Sequence, residues 1–500
     1  VNVNRGAPTP PIAFDAAAES IERRFSATVV DVDVATVERL RSTGASVVTD
    51  LDATVETGRD WWPLAMAWAL DGAEPGRAAA IVRPSTVEQV SDVLRLCNES
   101  HVPVTTAAGR SGVCGASVPL HGGVLLEMTG IAGVVDVDDT SLLLRVRAGT
   151  FGDVLEDELR SKHSVTLGHW PQSVQLSTVG GWVACRSAGQ YSTRYGKIED
   201  MVVDLEVVLA DGRVVHTGAG GPRAAVGPDL NQVFIGSEGT LGVVTEATLR
   251  VHPAPHAERS ASFGFESFLS GLDACRRILR RGATPAVLRL YDEAESKRSF
   301  DIDATCALIV LDEGDPAAID AVMAVVREEC SSAATLDDAL VDQWLGHRND
   351  VSALEALIRR EIVVDTIEIA GRWAALGPIY DEVRAAVSAV EHTLVVSAHQ
   401  SHAYSDGACL YFTFAGRPPV EERDRFYVAV WDAATNAVLA RGGALSHHHG
   451  VGLNRARFVR QALGPAFDVF VAMKQALDPS GILNPGKLGL PDPFGEVDWP

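Results

Sequence analysis

The stretch Thr105-Thr106-Ala107-Ala108-Gly109-Arg110-Ser111-Gly112-Val113-Cys114-Gly115 decides how this chain folds. It grows out of Val102–Thr106, a short apolar and β-branched run that reads as a strand. Small residues in such a position let successive backbone N–H groups point into one concave nest, which suits a pyrophosphate. Ser111 adds a hydroxyl donor and Arg110 a charge. The stretch is neither a Gly-x-Gly-x-x-Gly turn opening a helix nor a phosphate loop ending in Gly-Lys-Ser/Thr. Taken alone, it reads equally well as a plain connection between strands.

Two further stretches of the same character follow. Pro171-Gln172-Ser173-Val174-Gln175-Leu176-Ser177-Thr178-Val179-Gly180-Gly181-Trp182 offers hydroxyls and amides for phosphate and polyol groups, with Arg186 and Ser187 close behind. Gly236-Ser237-Glu238-Gly239-Thr240-Leu241-Gly242-Val243-Val244-Thr245 is the third. Three such loops beside strands imply one extended ligand, and a dinucleotide with two phosphates and a flat ring fits better than a mononucleotide.

The rest of the chain sets bounds. Five hundred residues are too many for one core, so two or three domains are expected. A hydrophobic fraction of 46% supports a folded chain, and a formal charge of −23 argues against a general nucleic-acid surface. The seven cysteines are scattered without a Cys-x-x-Cys pair, as in a reducing compartment with buried thiols. No signal peptide opens the sequence and no charge-free apolar run is long enough to span a bilayer, so a cytoplasmic protein is expected.

Four segments emerge. Residues 1–76 form an N-terminal helical arm, loose over 1–13, with Val34–Arg41 helical and Trp61-Trp62 adjacent. Residues 77–255 are strand-rich: Ala78–Val82, Val102–Thr106, Gly123–Met128, Leu142–Ala148, Val202–Leu209, Val214–Thr217 and Val243–Val251. A helix runs from Pro84-Ser85-Thr86 through Cys97, with Ser85 and Glu88 as its capping box. Residues 256–440 alternate helices (Phe265–Arg280, Pro316–Glu329, Leu354–Val363, Leu376–Glu391, Val420–Arg441) with strands (Ala286–Tyr291, Cys306–Asp312, Thr393–Ala398, Ala408–Ala415). Two βαβ-like halves there indicate a ferredoxin-like domain. Residues 441–500 hold one helix and a turn region, and open on Ser446-His447-His448-His449-Gly450-Val451-Gly452. Three adjacent histidines can bind protons, anions or metal, and in extended chain His447 and His449 share a face. An exposed tract is the bland alternative.

Taken together, these motifs resemble the FAD domain of the vanillyl-alcohol-oxidase/para-cresol-methylhydroxylase (PCMH) superfamily, and most nearly its alkyldihydroxyacetonephosphate synthase branch. The matching stretches are Leu176–Val183, Tyr195–Asp200, Gly236–Gly242, Ala408–Phe412 and the triple histidine, and the resemblance spans roughly residues 77–490. It implies an α+β fold: a two-subdomain PCMH-type FAD-binding domain with a ferredoxin-like α/β cap. It implies noncovalent FAD held by Thr105, Thr106, Ala107, Ala108, Gly109, Arg110 and Ser111; by Gln172, Ser173, Val174, Gln175, Leu176, Ser177 and Thr178; by Cys185, Arg186, Ser187 and Ala188; and by Glu238, Gly239, Thr240, Leu241, Gly242, Val243 and Val244. Tyr411 falls on the family's proton-donor tyrosine, Arg348 on its substrate-binding arginine and Arg289 on a further important arginine, with His447, His448 and His449 as acid-base groups. The implied reaction replaces the acyl group of an acyl-dihydroxyacetone phosphate through flavin N5, a step of ether lipid biosynthesis with no net redox change. A small or lipid-like anionic substrate follows; a homodimer is the assembly considered.

Each residue also has a plainer reading: a surface charge for Arg348, an inter-domain ion pair for Arg289, a core tyrosine for Tyr411. The other chemical reading is an FAD-dependent 2-hydroxy-acid dehydrogenase or oxidase of the D-lactate or glycolate type. Relatives of that kind carry a metal-binding Glu where His448 stands. No metal is assigned here, although three imidazoles have the donor chemistry for zinc. A flavin-binding scaffold without chemistry is the third reading. The sequence departs from the synthase pattern in Ala107-Ala108-Gly109-Arg110 and in Leu453-Asn454-Arg455 after the histidines.

Overall fold

The first dinucleotide-type loop leaves a four-stranded sheet at its carboxyl edge. In the computed structural model, which describes residues 3–218 and 221–497, Val104–Ala107 pairs in parallel with Val124–Glu127. That strand pairs in parallel with Ala80–Arg83, and Ser46–Val48 adds antiparallel at the far edge. The helix Val87–Glu99 supplies the crossover. Its cap sits one residue later than the sequence indicated: Thr86, not Ser85, accepts from the Gln89 N–H, while Gln89 reaches back to the Ser85 N–H. Both residue pairs have the spacing of a capping box, and only the backbone conformation at Thr86 separates them.

A five-stranded antiparallel sheet carries the other two loops. Its order is Val214–His216, Val202–Val208, Val243–Arg250, Leu143–Arg147, Val134–Asp138. The helix Val179–Cys185, capped by Thr178, packs against it through Val179, Trp182 and Val183.

The cap domain is built on a seven-stranded antiparallel sheet. Its order is Ala334–Thr335, Ala257–Phe265, Cys306–Gly314, Val287–Tyr291, Thr393–Ala403, Gly407–Gly416, Val363–Arg372. Two β-α-β-β-α halves, 257–329 and 363–440, each place their third strand between the first two. They join where Leu290 and Tyr291 face Gln400 and His399. The helix expected over Leu354–Val363 is confined to Ser352–Ile358, and the strand Val363–Arg372 follows it. Buried Asp365 and Glu368 interrupt the apolar pattern that would have marked this strand.

The two terminal segments fold back onto these units. Residues 3–13 are not loose: the Trp61 indole donates to the Thr9 carbonyl, and Ile12 packs with Met66 and Ile358. Val104 and Asn484 exchange backbone bonds through the Ile482 and Val104 carbonyls, returning the C-terminal segment to the first sheet. Among the described residues no helix is long and apolar enough to cross a membrane.

Trp62 joins the N-terminal segment to the cap. It is fully buried, meets Trp68 edge-on at 5.2 Å, and donates to the Tyr427 hydroxyl at 2.9 Å. Replacing Trp62 by Ala should cost about 3–5 kcal/mol, the range for truncating a buried aromatic. Urea unfolding checks this; a loss under about 1 kcal/mol would show that the site collapses freely.

Candidate active site

The three loops and the cap sheet enclose one cavity of about 740 Å³. Thr106–Ser111, Gln172, Ser173, Leu176–Thr178, Cys185, Ser187, Ala188, Glu238, Gly239 and Gly242–Val244 lie on its wall. Thr105, Val174, Thr240 and Leu241 are buried behind that wall, Gln175 is exposed, and Arg186 turns outward to Glu199 and Gln232. The first loop lies directly on the second, since a Cβ on Gly109 would overlap the Leu176 carbonyl oxygen. The amides of Gly109 to Cys114 find no acceptor among the described residues, and the buried Thr106 and Ser117 hydroxyls have no partner. A row of unspent donors beside a tight loop contact is what a diphosphate needs. Arg110 does not stay free for it: its guanidinium meets Glu127 at 3.3 Å.

The histidine loop is wrapped around a carboxylate. Glu368 accepts the N–H of His447, that of His448 at 3.3 Å and that of His449 at 2.9 Å, together with the Ser446 hydroxyl at 2.7 Å. Arg455 closes the nest from behind at 2.9 Å, both side chains being fully buried. Burial would raise the Glu368 carboxyl, but Arg455 and the loop N–H groups outweigh it and hold it well below the usual range. A second carboxylate, Glu238, accepts Val451 N–H at 2.6 Å and Gly452 N–H at 2.8 Å, fastening the same loop to the third dinucleotide loop. The close approach requires Gly452, where a Cβ would overlap the Cys114 carbonyl oxygen.

His448 and His449 reach the cavity wall; His447 lies behind them. Its Nε2 is 3.0 Å from the Tyr404 hydroxyl and its Nδ1 2.9 Å from that of His448. His402 stacks on His447 at 4.8 Å and bonds to Ser192 at 2.8 Å. Ring nitrogens of His402, His447 and His448 lie within 4.8 Å of one another, a donor set able to take a metal ion. Burial pushes His447 and His449 down to about 4, so both are neutral near neutral pH. Burial pushes the Tyr411 phenol up, so it keeps its proton. Tyr411 stacks on His399 at 4.7 Å and stands edge-on to His449 at 5.5 Å.

Arg289 and Arg348 share the ring of Trp344, at 5.9 Å and 5.6 Å. Arg348 also lies over Tyr191 at 4.9 Å and Trp170 at 5.3 Å, with a 3.4 Å bond to Gln190. Neither arginine has a carboxylate partner among the described residues. Sequence reading missed Glu368, Glu295, Arg455, Ser192 and Tyr404. The one available signal was a charge set inside Ile367-Glu368-Ile369, where strand alternation places it opposite two apolar neighbours.

Comparison with known proteins agrees with this geometry. Residues 78–218 match the FAD binding domain family, and residues 254–488 match the C-terminal domain of FAD linked oxidases. The uncharacterized FAD-linked oxidoreductase YgcU of Escherichia coli O157:H7 is 32% identical over 433 residues, covering 82% of this chain and 88% of its own. The chain belongs to the FAD-linked oxidoreductase family. Its cofactor is FAD, and the unspent amides and hydroxyls of the first loop fit it. Alkyldihydroxyacetonephosphate synthase of Dictyostelium discoideum is 30% identical over 449 residues, covering 82% of this chain and 72% of its own. A solved alkyldihydroxyacetonephosphate synthase superposes with a TM-score of 0.77 at 25% identity, over 96% of this chain and 89% of its own. p-Cresol methylhydroxylase, at 19% identity and TM-score 0.76 over 94% of this chain and 100% of its own, shares the fold.

Replacing Glu368 by Gln should destabilise the protein by about 3–5 kcal/mol, because Arg455 is left buried without its counter-ion. A loss below about 1 kcal/mol would mean that the loop does not depend on the pair. The buried histidines set a pH dependence. Their folded values lie below the unfolded one, so the unfolded chain binds more protons between about 6.5 and about 4. Stability should therefore fall as pH drops through that window, by up to roughly 1.4 kcal/mol per unit for each of His447 and His449. Flat unfolding midpoints from pH 6.5 to 4 would show that both rings take up protons as readily in the folded chain as in the unfolded one.

Proposed function

We propose that this FAD-linked enzyme acts on an anionic, lipid-like substrate in the manner of an alkyldihydroxyacetonephosphate synthase, with FAD held noncovalently. The observation that carries the reading is the joining, in one cavity, of two arginines without carboxylate partners among the described residues, a protonated tyrosine and the neutral His448 and His449. Arg289 and Arg348 bind the anionic head, Arg348 through a fork that suits phosphate or carboxylate. Trp61, Pro63, Leu354, Leu357 and Val364 line the same cavity and accommodate an apolar chain. FAD supplies the electrophilic and redox-active ring when bound. Tyr411 donates a proton to the departing oxygen, and His449, edge-on to it and neutral, takes one from the incoming alcohol. His447 holds the orientation of His448 from behind.

A second reading rests on the His402, His447 and His448 cluster. These three residues would hold a divalent metal, which would supply a Lewis acid to orient a 2-hydroxy acid; a histidine of the cavity would take the hydroxyl proton, and FAD would be the oxidant.

The two readings separate in one experiment. The FAD-loaded enzyme is mixed anaerobically with acyl-dihydroxyacetone phosphate plus a fatty alcohol, and separately with D-lactate or glycolate, with metal content measured alongside. Alkyl exchange without lasting loss of flavin absorbance is the expected result; bleaching by a hydroxy acid would replace it with the second reading. Tyr411→Phe should keep FAD and lower the rate about 10²-fold or more. An unchanged rate removes Tyr411 from the chemistry.

A further inference from the structure

Glu295 lies on the helix Glu293–Phe300 and points into the wall of the cavity, where none of the preceding chemistry uses it. Its carboxylate is buried and collects the Arg298 guanidinium at 2.8 Å, the Thr413 hydroxyl at 3.0 Å, the Ser397 hydroxyl at 3.1 Å and His399 Nδ1 at 2.7 Å. On the other side of the same ring, His399 Nε2 lies 2.6 Å from Arg289 Nη2. A carboxylate only accepts and a guanidinium only donates. Both neighbours therefore demand one arrangement: the proton on Nδ1 and the lone pair on Nε2. A doubly protonated ring would set an N–H against the Arg289 N–H. Burial and the Arg289 charge push His399 down to about 4 against the pull of Glu295, which agrees with a neutral ring.

We propose that Glu295 and His399 are positioning residues for anion binding: Glu295 fixes the His399 tautomer, and His399 in turn pins Arg289 by one nitrogen so that the rest of the guanidinium faces the cavity. The Arg289 Nε, buried and without a partner among the described residues, is part of that remainder. Tyr291 and Trp344 lie against the guanidinium at 5.4 Å and 5.9 Å and limit its swing. A flexible arginine loses rotamer freedom when it binds; one already held loses less.

The inference rests on the reading of Arg289 as a ligand for the anionic head, so the test separates the two. Inorganic phosphate is titrated calorimetrically into the FAD-loaded wild type and into Arg289→Gln, His399→Phe, His399→Gln and Glu295→Gln. Arg289→Gln and His399→Phe should each weaken phosphate about 10-fold or more, the size of one charge-assisted bond. Glu295→Gln should weaken it about 3- to 10-fold, by releasing the tautomer. His399→Gln keeps an acceptor for Arg289 and should stay within about 3-fold of wild type, a rescue that a merely structural role does not give. If Arg289→Gln weakens phosphate while His399→Phe and Glu295→Gln leave it unchanged, positioning is overturned and the anion site stands. If Arg289→Gln has no effect, the anion site itself is wrong.

Discussion

The buried pair of Glu368 and Arg455 is the constraint on which the site depends. A carboxylate taken wholly out of water must recover its lost hydration from fixed donors. Here it does so with the backbone of the histidine loop, which has no helix or sheet of its own to satisfy those amides. The loop cannot relax without stranding both the carboxylate and its own N–H groups. The backbone that carries its three imidazoles thus takes its course from a residue on the strand Val363–Arg372, and the ring contacts of His447 with Tyr404, His402 and His448 add to that.

The same economy of anchoring appears at the seam between the units. Glu238 belongs to the third dinucleotide loop, yet its oxygens are spent on the histidine loop. Asn484 spans from the Glu238 carbonyl to the Ala116 carbonyl, and buried Lys474 bonds to the Thr240 carbonyl. Each tie joins a segment far away in sequence to a loop that faces the cofactor. Cofactor loops and acid-base residues are therefore held in one frame, which is what chemistry on a bound substrate requires. Burial in the cavity wall keeps its imidazoles neutral and its tyrosine protonated, and the two arginines add positive charge beside them.

The legibility of these parts differed for physical reasons. The three loops were readable because their small residues serve backbone donors, and backbone geometry leaves a compositional trace. Tyr411 and the histidines were readable through their stretches' resemblance to a family. Glu368 and Glu295 were not, because a buried acid looks in sequence like any surface acid until its partners are known. The strand Val363–Arg372 was missed for the same cause: its two buried acids mimic the polar breaks of a loop. Residues 3–13 read as loose because their burial is conferred by Trp61, Met66 and Ile358, none of which is their neighbour in the chain.

By itself, then, the sequence indicated the α+β fold and the dinucleotide loops through local spacing and residue chemistry, and pointed to candidate reactive side chains through their resemblance to a family. Tertiary structure alone decided which of those side chains meet. The Thr105–Gly115 loop acquires its ligand-facing amides from being pressed onto Leu176, and the triple histidine acquires its orientation from Glu368. Both are long-range contacts, and long-range contacts leave no periodicity in the chain that makes them.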